Sequence, residues 1–325
     1  MKKYKIAFLG AGNIARVMAA TISQMPQIEA YAVAARDFSR AKAFAAAHGF
    51  QKAFGSYEEM LKDPQIDLVY ISTPHSHHYE HAMLCLEHGK KVLCEKAFTA
   101  NAKQAQKLLT YAKSRRLLIT EAIWTRYMPL SKKINQLIDN GIIGKVTLLT
   151  ANLGYMETNI ERVMNPDLAG GALLDISIYP INFASMVFGP QISKVTSTCV
   201  FTDTGVDAMD SITLCYEDGK MAVLNTTILS RTNREGIIYG DQGYMVVENI
   251  NNPERVRIFS ADQKEIAVYE APEKITGYEY EVLAAIGAIE EGRLECAEMP
   301  HHETLRIMKL LDGIRESWGI KFPFE

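Results

Sequence analysis

The side chains best suited to proton transfer in this sequence are a lysine, Lys96, and a tyrosine, Tyr179. Lys96 follows Glu95 after the apolar residues 92–94, so a short buried strand is predicted to end in two opposite charges. A lysine in that position can hydrogen-bond a substrate oxygen and stabilise developing negative charge. A free tyrosine has a pKa of about 10, too high for a base at neutral pH, and a nearby ammonium lowers it. The pair indicates alcohol–carbonyl interconversion.

Tyr179 lies in the segment GGALLDISIYP, residues 170–180, in which two glycines precede a helix predicted to start near Ala172. Asp175 and Tyr179 are four residues apart, so an α-helix places both on one face. The segment therefore makes Tyr179 a candidate for proton transfer, with Asp175 on the same face. The alternative, that Tyr179 only packs on a sheet, stays open at this point.

The motif GAGNIA, residues 10–15, has the spacing G-x-G-x-x-A between a predicted first strand and first helix. Gly10 permits a tight turn, and Gly12 lets the backbone approach a pyrophosphate, which then lies on the helix N-terminus. The motif therefore predicts a dinucleotide-binding turn formed by Gly10, Gly12, Asn13 and Ile14.

The end of the second predicted strand bears on the choice of dinucleotide. An acidic residue there binds the ribose 2′-hydroxyl of NAD, whereas an arginine suits the 2′-phosphate of NADP. Arg36 comes first and is followed by Asp37, with Arg40 one helical turn further on. Because a guanidinium matches a phosphate in a fork, the order favours NADP. Asp37 keeps NAD as an alternative.

Four histidines occur within seven residues of the segment TPHSHHYEH, residues 73–81. The metalloprotease pattern HExxH is absent, and a metal site needs further converging ligands, so no metal is predicted. The segment follows a strong strand and is expected at the carboxyl edge of a parallel sheet, where such sheets bind ligands. His75 and His78 are expected to face the cofactor, and His77 and His81 to be ordinary helix-surface residues.

Composition narrows the class of protein. The 325 residues are 48% hydrophobic and 22% charged, with a net charge of −3, which is typical of a globular protein without nucleic acid or an anionic membrane surface as partner. No apolar run approaches the roughly 20 residues that span a bilayer. Five scattered cysteines without a CxxC pair predict reduced thiols and a cytoplasmic location.

Two patterns divide the chain. Residues 1–122 alternate apolar strands with helices of about ten residues, which predicts a parallel sheet covered on both faces. Residues 123–325 contain alternating apolar–polar strands joined by short turns, with a helix at 129–140 and two closing helices at about 277–291 and 302–318. The predicted fold is α/β, with an N-terminal Rossmann domain and a C-terminal α+β domain that carries a large, mostly antiparallel open sheet.

GAGNIA at 10–15, TPxxxH at 73–78, EK at 95–96 and GGALLD at 170–175 resemble the Gfo/Idh/MocA oxidoreductase family in order and spacing across nearly the whole chain. The resemblance implies NADP held by the glycine turn and Arg36, with a homodimer formed through the C-terminal sheet. It implies Lys96 as the catalytic lysine, Tyr179 as the acid/base and Asp175 as its polar neighbour or a substrate contact. Further cofactor-site residues that it implies are Thr73, His75, His78, Glu95, Trp124 and Arg126. Ala97 stands where the family has proline, so we expect a less rigid loop after Lys96.

The function predicted from these residues is NADP-dependent hydride transfer at a hydroxyl or carbonyl carbon of a sugar, polyol or related diol. Two alternatives stay open. One is an enzyme oxidising aromatic trans-dihydrodiols, and the other is a non-catalytic NADP-binding regulator with the same fold. A sensor needs no proton donor, so the presence of both Lys96 and Tyr179 favours an enzyme.

Overall fold

The computed structural model describes residues 3–325. The chain forms two compact units: the first takes in the residues up to Ile123 and Lys274–Met308, and the second takes in Trp124–Glu273 and Lys309–Glu325. The sequence pattern places all of 123–325 in one domain, whereas the structure groups residues 274–308 with the N-terminal unit.

The first unit contains a six-stranded parallel sheet, and the predicted Rossmann arrangement is confirmed. Its strands are β1 (Tyr4–Leu9), β2 (Ile28–Ala34), β3 (Lys52–Phe54), β4 (Leu68–Ile71), β5 (Val92–Glu95) and β6 (Ile119–Ala122). Their order in the sheet is β3-β2-β1-β4-β5-β6. β4, β5 and β6 are buried along their whole length, as expected for strands covered on both faces.

Five helices connect these strands: α1 (Asn13–Ile22), α2 (Phe38–His48), α3 (Tyr57–Leu61), α4 (His75–Glu87) and α5 (Ala102–Arg115). Polar N-caps start three of them, since Asp37, Ser56 and Asn101 each accept a backbone N–H of the first turn. The sequence pattern missed β3 and α3, because elements of three and five residues are too short for a period to show. α4 starts at His75 rather than at the predicted Tyr79.

The second unit contains an eight-stranded sheet, and the predicted mostly antiparallel sheet is confirmed. Its strands are β7 (Val146–Gly154), β8 (Ile192–Phe201), β9 (Asp207–Tyr216), β10 (Met221–Thr227), β11 (Gly236–Gly240), β12 (Gly243–Glu248), β13 (Arg255–Ser260) and β14 (Glu265–Glu270). Their order is β14-β13-β12-β11-β7-β10-β9-β8, with β7 and β10 as the parallel pair. Burial alternates along β9, which is the pattern of a sheet with one open face.

The helices of the second unit are α6 (Pro129–Asp139), the single turn α7 (Glu161–Met164) and α8 (Ile178–Phe188). Trp124–Tyr127 and Pro166–Leu168 are 3₁₀ turns. The helix predicted near Ala172 exists, but its first turn, Leu173–Ser177, is π-helical. π-turns are rare and occur mostly at functional sites. The spacing of Asp175 and Tyr179 therefore differs from the α-helical one that the sequence suggested.

One stretch of residues 3–325, Pro166–Phe188, is long and apolar enough to cross a membrane by length and composition, with a mean hydropathy of 1.4 in its most apolar window. This stretch of 23 residues is not one apolar run: it joins a 3₁₀ turn, the π-turn and α8, and it includes Asp167 and Asp175. Of that window, 89% is buried inside the protein, as in a core helix.

The last two helices are α9 (Glu279–Glu290) and α10 (His301–Ser317), as the sequence predicts within two residues. The chain turns into α9 around Glu279, whose carboxylate accepts the backbone N–H groups of Ile275, Thr276 and Gly277. α9 belongs to the first unit, where Tyr4 on β1 donates to Glu290 at 2.8 Å.

Candidate active site

The glycine turn after β1 fits a dinucleotide. Gly10 has a φ of +110°, and a Cβ at that position would lie 2.9 Å from Ser72 Oγ on the neighbouring strand end. Gly12 is the N-cap of α1, and no side chain caps the helix. The N–H groups of the first turn therefore point at the place where a pyrophosphate would bind. Arg40 donates to the Ala11 carbonyl at 3.0 Å and holds the turn from outside, a contact that the sequence did not indicate.

The end of β2 separates the roles of Arg36 and Asp37. The Asp37 side chain caps α2 by accepting from Ser39 N at 2.8 Å. Arg36 is exposed and lines an open groove of about 640 Å³ together with Tyr57, Tyr79 and His81. The groove thus offers a guanidinium at the position where Rossmann folds read the ribose.

His78 and His81 are fixed from inside the first unit. His78 is fully buried, and its two ring nitrogens lie 2.7 Å from the carbonyl oxygens of Thr73 and Ala97, so it links the loops after β4 and β5. Burial lowers the pKa of His78 to about 4, against the two carbonyls, which favour the charged ring. The neutral ring can donate to only one of the carbonyls at a time.

The prediction that His81 is an ordinary helix-surface residue is wrong. Its Nδ1 lies 2.9 Å from Thr73 Oγ1, and its ring packs edge-on against Tyr57 with centroids 4.8 Å apart. Burial, followed by the neighbouring His77 and His78, lowers the pKa of His81 to about 4. The helical spacing suggested a free surface. Instead, the ring lies against the loop after β4 and against α3.

Lys96 follows β5 at the carboxyl edge of the parallel sheet. Glu95 is 6% exposed, and its carboxylate accepts a hydrogen bond from Tyr70 and another from the backbone N of Lys96 at 3.2 Å. Glu95 therefore fixes the backbone at the lysine, a role that the sequence could not separate from contact with the cofactor. The Lys96–Ala97 peptide bond is cis, and Ala97 is fully buried.

In the second unit, Asp175 lies in the π-turn and Tyr179 in the first turn of α8, and both are buried. Arg162 pairs with the Asp175 carboxylate at 2.8 Å. Trp124 and Arg126 lie in the 3₁₀ turn before α6, where Arg126 donates to Asn182 Oδ1 of α8 at 2.9 Å.

Two buried aspartates on β9 support the π-turn, and the sequence did not single them out. Asp207 accepts the N–H of Leu173, and a Cβ at Gly171 would lie 2.1 Å from its Oδ1, which explains the second glycine of the GG pair. Asp210 accepts from Ser177 at 2.5 Å. Burial raises the pKa of Asp207 to about 6, against the backbone donors, and burial and Asp207 raise that of Asp210 further.

Possible metal ligands and cysteine thiols were the other reactive groups that the sequence offered. Within residues 3–325, no group of three or more His, Cys, Asp or Glu side chains is arranged to hold a metal ion. The five cysteines are free thiols, and burial raises the pKa of the Cys94 thiol well above its usual value.

Comparison with known proteins decides the family. A family model described as "Oxidoreductase family, NAD-binding Rossmann fold" matches residues 4–122, and the "GFO/IDH/MocA C-terminal domain" matches residues 131–246. The trans-1,2-dihydrobenzene-1,2-diol dehydrogenase of Xenopus tropicalis is 32% identical over 327 residues, covering 98% of this chain and 99% of the relative. The chain belongs to the Gfo/Idh/MocA oxidoreductase family. The human trans-1,2-dihydrobenzene-1,2-diol dehydrogenase is 33% identical over 323 residues, with 97% of each chain covered.

Solved structures of the Gfo/Idh/MocA type share the fold. A 3-ketoreductase from Actinomadura kijaniata, in complex with NADP and TDP-benzene, has a TM-score of 0.88 at 24% identity, covering 97% of this chain and 98% of that one. An aldose–aldose oxidoreductase from Caulobacter crescentus, complexed with glycerol, also has a TM-score of 0.88, at 19% identity, covering 97% of both chains. With the family comes the class of reaction: the protein is an oxidoreductase with an NAD(P)-binding Rossmann domain.

Proposed function

We propose that this protein is an NADP-dependent oxidoreductase that interconverts a hydroxyl and a carbonyl carbon of a sugar, polyol or related diol. The observation that carries the proposal is the shared edge of the parallel sheet in the first unit. The glycine turn follows β1, Thr73 follows β4 and Lys96 follows β5, and these three strands are direct neighbours. Carboxyl ends of parallel strands meet at one edge, where such folds bind ligands.

The proposal assigns the proton chemistry to Lys96 and Tyr179, and the hydride chemistry to the nicotinamide when it is bound. The Lys96 ammonium polarises the substrate oxygen. Glu95 and the buried loop hold the backbone at Lys96 in one place, which positions that ammonium. Tyr179 takes or returns the hydroxyl proton. Asp175, held by Arg162, serves as its polar neighbour or as a substrate contact.

NADP is proposed over NAD because Arg36 faces the open groove while Asp37 is occupied as a helix cap. Residues proposed to contact the cofactor are Gly10, Gly12, Asn13, Ile14, Arg36, Thr73, His75, Glu95, Trp124 and Arg126. His78, which the sequence placed with them, is fully buried with both ring nitrogens at carbonyl oxygens, so it fixes the loops after β4 and β5 instead. The fit of the glycine turn supports the pyrophosphate end of this set.

The Arg36→Ala variant tests the cofactor choice. Charge-assisted hydrogen bonds to a phosphate contribute about 1.5–3 kcal/mol, so NADP should bind roughly 10- to 100-fold more weakly and NAD almost unchanged. Dissociation constants are measured by calorimetry for both dinucleotides. Arg40→Ala is the matched control: it loosens the Ala11 turn and should weaken both cofactors alike. Equal loss of both in Arg36→Ala would remove the 2′-phosphate argument.

The substrate class rests on chemistry that several relatives share. Curated relatives are named for the oxidation of a benzene trans-dihydrodiol, and one fold neighbour is named for aldoses. We therefore propose a sugar, polyol or related diol, with aromatic trans-dihydrodiols as the second candidate. The decisive experiment follows reduced nicotinamide on a panel of aldoses, polyols, dihydrodiols and, in reverse, dicarbonyls. Tight NADP binding without turnover of any compound would identify a regulator instead.

A homodimer through the C-terminal sheet is also proposed. Large apolar side chains are exposed on three neighbouring strands, and such a patch commonly marks a contact with another protein surface. They are Val195, Val200 and Phe201 on β8, Met209 on β9 and Met221 on β10. Sedimentation of the purified protein should give the mass of two chains, and a monomer at micromolar concentration would contradict the proposal.

A further inference from the structure

Two glutamates in the first turn of α9, Glu279 and Glu281, lie in opposite hydrogen-bonding environments. Glu279 accepts three backbone N–H groups, and these bonds lower the pKa of its carboxyl below the usual value, against its partial burial. Glu281 is fully buried, and within residues 3–325 neither of its carboxyl oxygens has a hydrogen-bond partner. A buried, unpartnered carboxyl is costly, so its presence calls for a physical explanation.

Two strands of the parallel sheet bring polar groups within electrostatic range of Glu281. Glu95 of β5 acts on it electrostatically, and burial followed by Glu95 raises the pKa of Glu281 well above its ordinary value. Burial raises the pKa of Tyr70 of β4. The nearby negative charges of Glu95 and Glu281, and Tyr278 at the start of α9, raise it further. Glu121 of β6 is a further buried acid in this sheet.

Glu95 and Glu281 are two carboxyls in one buried place, and they cannot both ionise at neutral pH. The available donors decide which of them carries the charge. Glu95 accepts from the Tyr70 hydroxyl and from Lys96 N, and both bonds favour a carboxylate. Glu281 has no donor and no solvent. The negative charge therefore lies on Glu95, and the proton lies on Glu281.

We propose that Glu281 is a positioning residue for Lys96: by holding the proton of the Glu95–Glu281 pair, it leaves Glu95 as the single carboxylate that fixes the backbone at the lysine. The catalytic meaning rests on the role proposed above for Lys96. When the pH rises far enough to ionise Glu281, a second negative charge confronts Glu95, and the Glu95–Lys96 N hydrogen bond is lost. Lys96 then leaves its place, and turnover falls on the alkaline side.

The test follows the Lys96 backbone directly, so that it does not depend on turnover. The protein is labelled with ¹⁵N-lysine, and the Lys96 amide resonance is assigned by its absence in Lys96→Met. In the wild-type protein, this resonance should move as pH rises into the alkaline range. In Glu281→Gln, which mimics the protonated carboxyl, the movement should disappear. Equal movement in both proteins, or none in either up to the pH of unfolding, would overturn the inference.

Kinetics give the second readout on the same variants. The alkaline limb of the kcat profile should shift to higher pH or vanish in Glu281→Gln, and KM should move less than kcat. Glu279→Gln is the matched control on the same helix: it weakens the capping bonds and lowers Tm, but should leave the alkaline limb in place. An unchanged limb in Glu281→Gln, despite turnover, would overturn the positioning role. If the wild-type protein turns over nothing, the proposed function fails, while the amide titration still decides the inference.

Thermal unfolding checks where the proton lies. A carboxyl whose pKa is raised by folding contributes stability that is present below its unfolded pKa and is lost as pH rises through the folded value. Tm of the wild-type protein should therefore fall below that of Glu281→Gln progressively as pH rises above about 4.3, the unfolded value for Glu. A constant difference at every pH would show that Glu281 is not the protonated member of the pair.

Discussion

Each unit of this protein places a pair of buried acids behind a residue proposed for catalysis, and the two pairs are built differently. In the first unit, Glu95 and Glu281 lie behind Lys96, and they come from a strand and a distant helix. In the second unit, Asp207 and Asp210 come from the same strand, β9, and lie behind the π-turn that carries Asp175.

The difference lies in the donors. Asp207 meets backbone N–H groups at the start of a helix, and Asp210 accepts from the hydroxyls of Ser177 and Thr226. Glu281 has no donor at all. In both pairs, the acid with backbone donors carries the charge, and the other acid holds the proton. Hydrogen-bond donors thus stabilise the ionised form of one acid in each pair, and in a low-dielectric site this gives two similar acids different charges.

The largest expected effect is at the two residues proposed for proton transfer, one in each unit. Lys96→Met and Tyr179→Phe should each lower kcat by about 10²–10⁴-fold, the usual contribution of a positioned acid or base, with NADP affinity kept within a few fold. Turnover and dinucleotide binding are measured on the same preparations. Lys103→Met, an exposed lysine of α5, is the control and should behave like the wild-type protein. Near-normal turnover in Tyr179→Phe would show that the acid/base assignment is wrong.

A smaller effect is expected where a satisfied carboxylate is removed. Asp207→Ala leaves the N–H of Leu173 buried without an acceptor, which should cost about 1–3 kcal/mol of unfolding free energy. Urea unfolding followed by circular dichroism measures it. The contrast with Glu281→Gln, which is expected to stabilise the protein at neutral pH, tests whether donors make the difference. Destabilisation of similar size in both variants would remove the comparison.

The smallest effect concerns the protonated member of the second pair. Asp210 and Asp207 have raised pKa values, so the stability they contribute at acid pH is lost as pH rises, for Asp207 through about 6. Asp210→Asn keeps an oxygen for Ser177 and removes the titration. Its Tm should exceed that of the wild-type protein at pH 8 by roughly 2–4 °C, the equivalent of about 1 kcal/mol. A difference that does not shrink toward pH 4 would contradict the assignment.

Much of the fold and part of the candidate site follow from local patterns. The parallel sheet is visible in the alternation of apolar strands and helices, because strands covered on both faces need continuous apolar runs. The glycine turn is predictable from the sequence because its backbone accepts only small residues. At Gly10, for example, a Cβ would lie 2.9 Å from Ser72 Oγ. The position of Lys96 at the end of β5 is also predictable, because it follows directly on a short strand of four buried residues that ends at Glu95.

Contacts between distant parts of the chain decided the rest. The sequence gives no sign that residues 274–308 join the first unit, because that grouping depends on contacts with residues far away in the chain. His81 has the spacing of a surface residue, yet Thr73 and Tyr57 enclose it.

The chemistry of the buried acids shows the same division. The sequence by itself determined the strands, the dinucleotide turn and the types of the residues at the sheet edge, since these depend on neighbours a few positions away. Only the tertiary structure decided that Glu95 is held by Tyr70, that Asp207 meets Leu173, and that Glu281 meets no donor. The charge on each acid depends on burial and on partners that the fold brings together from far along the chain.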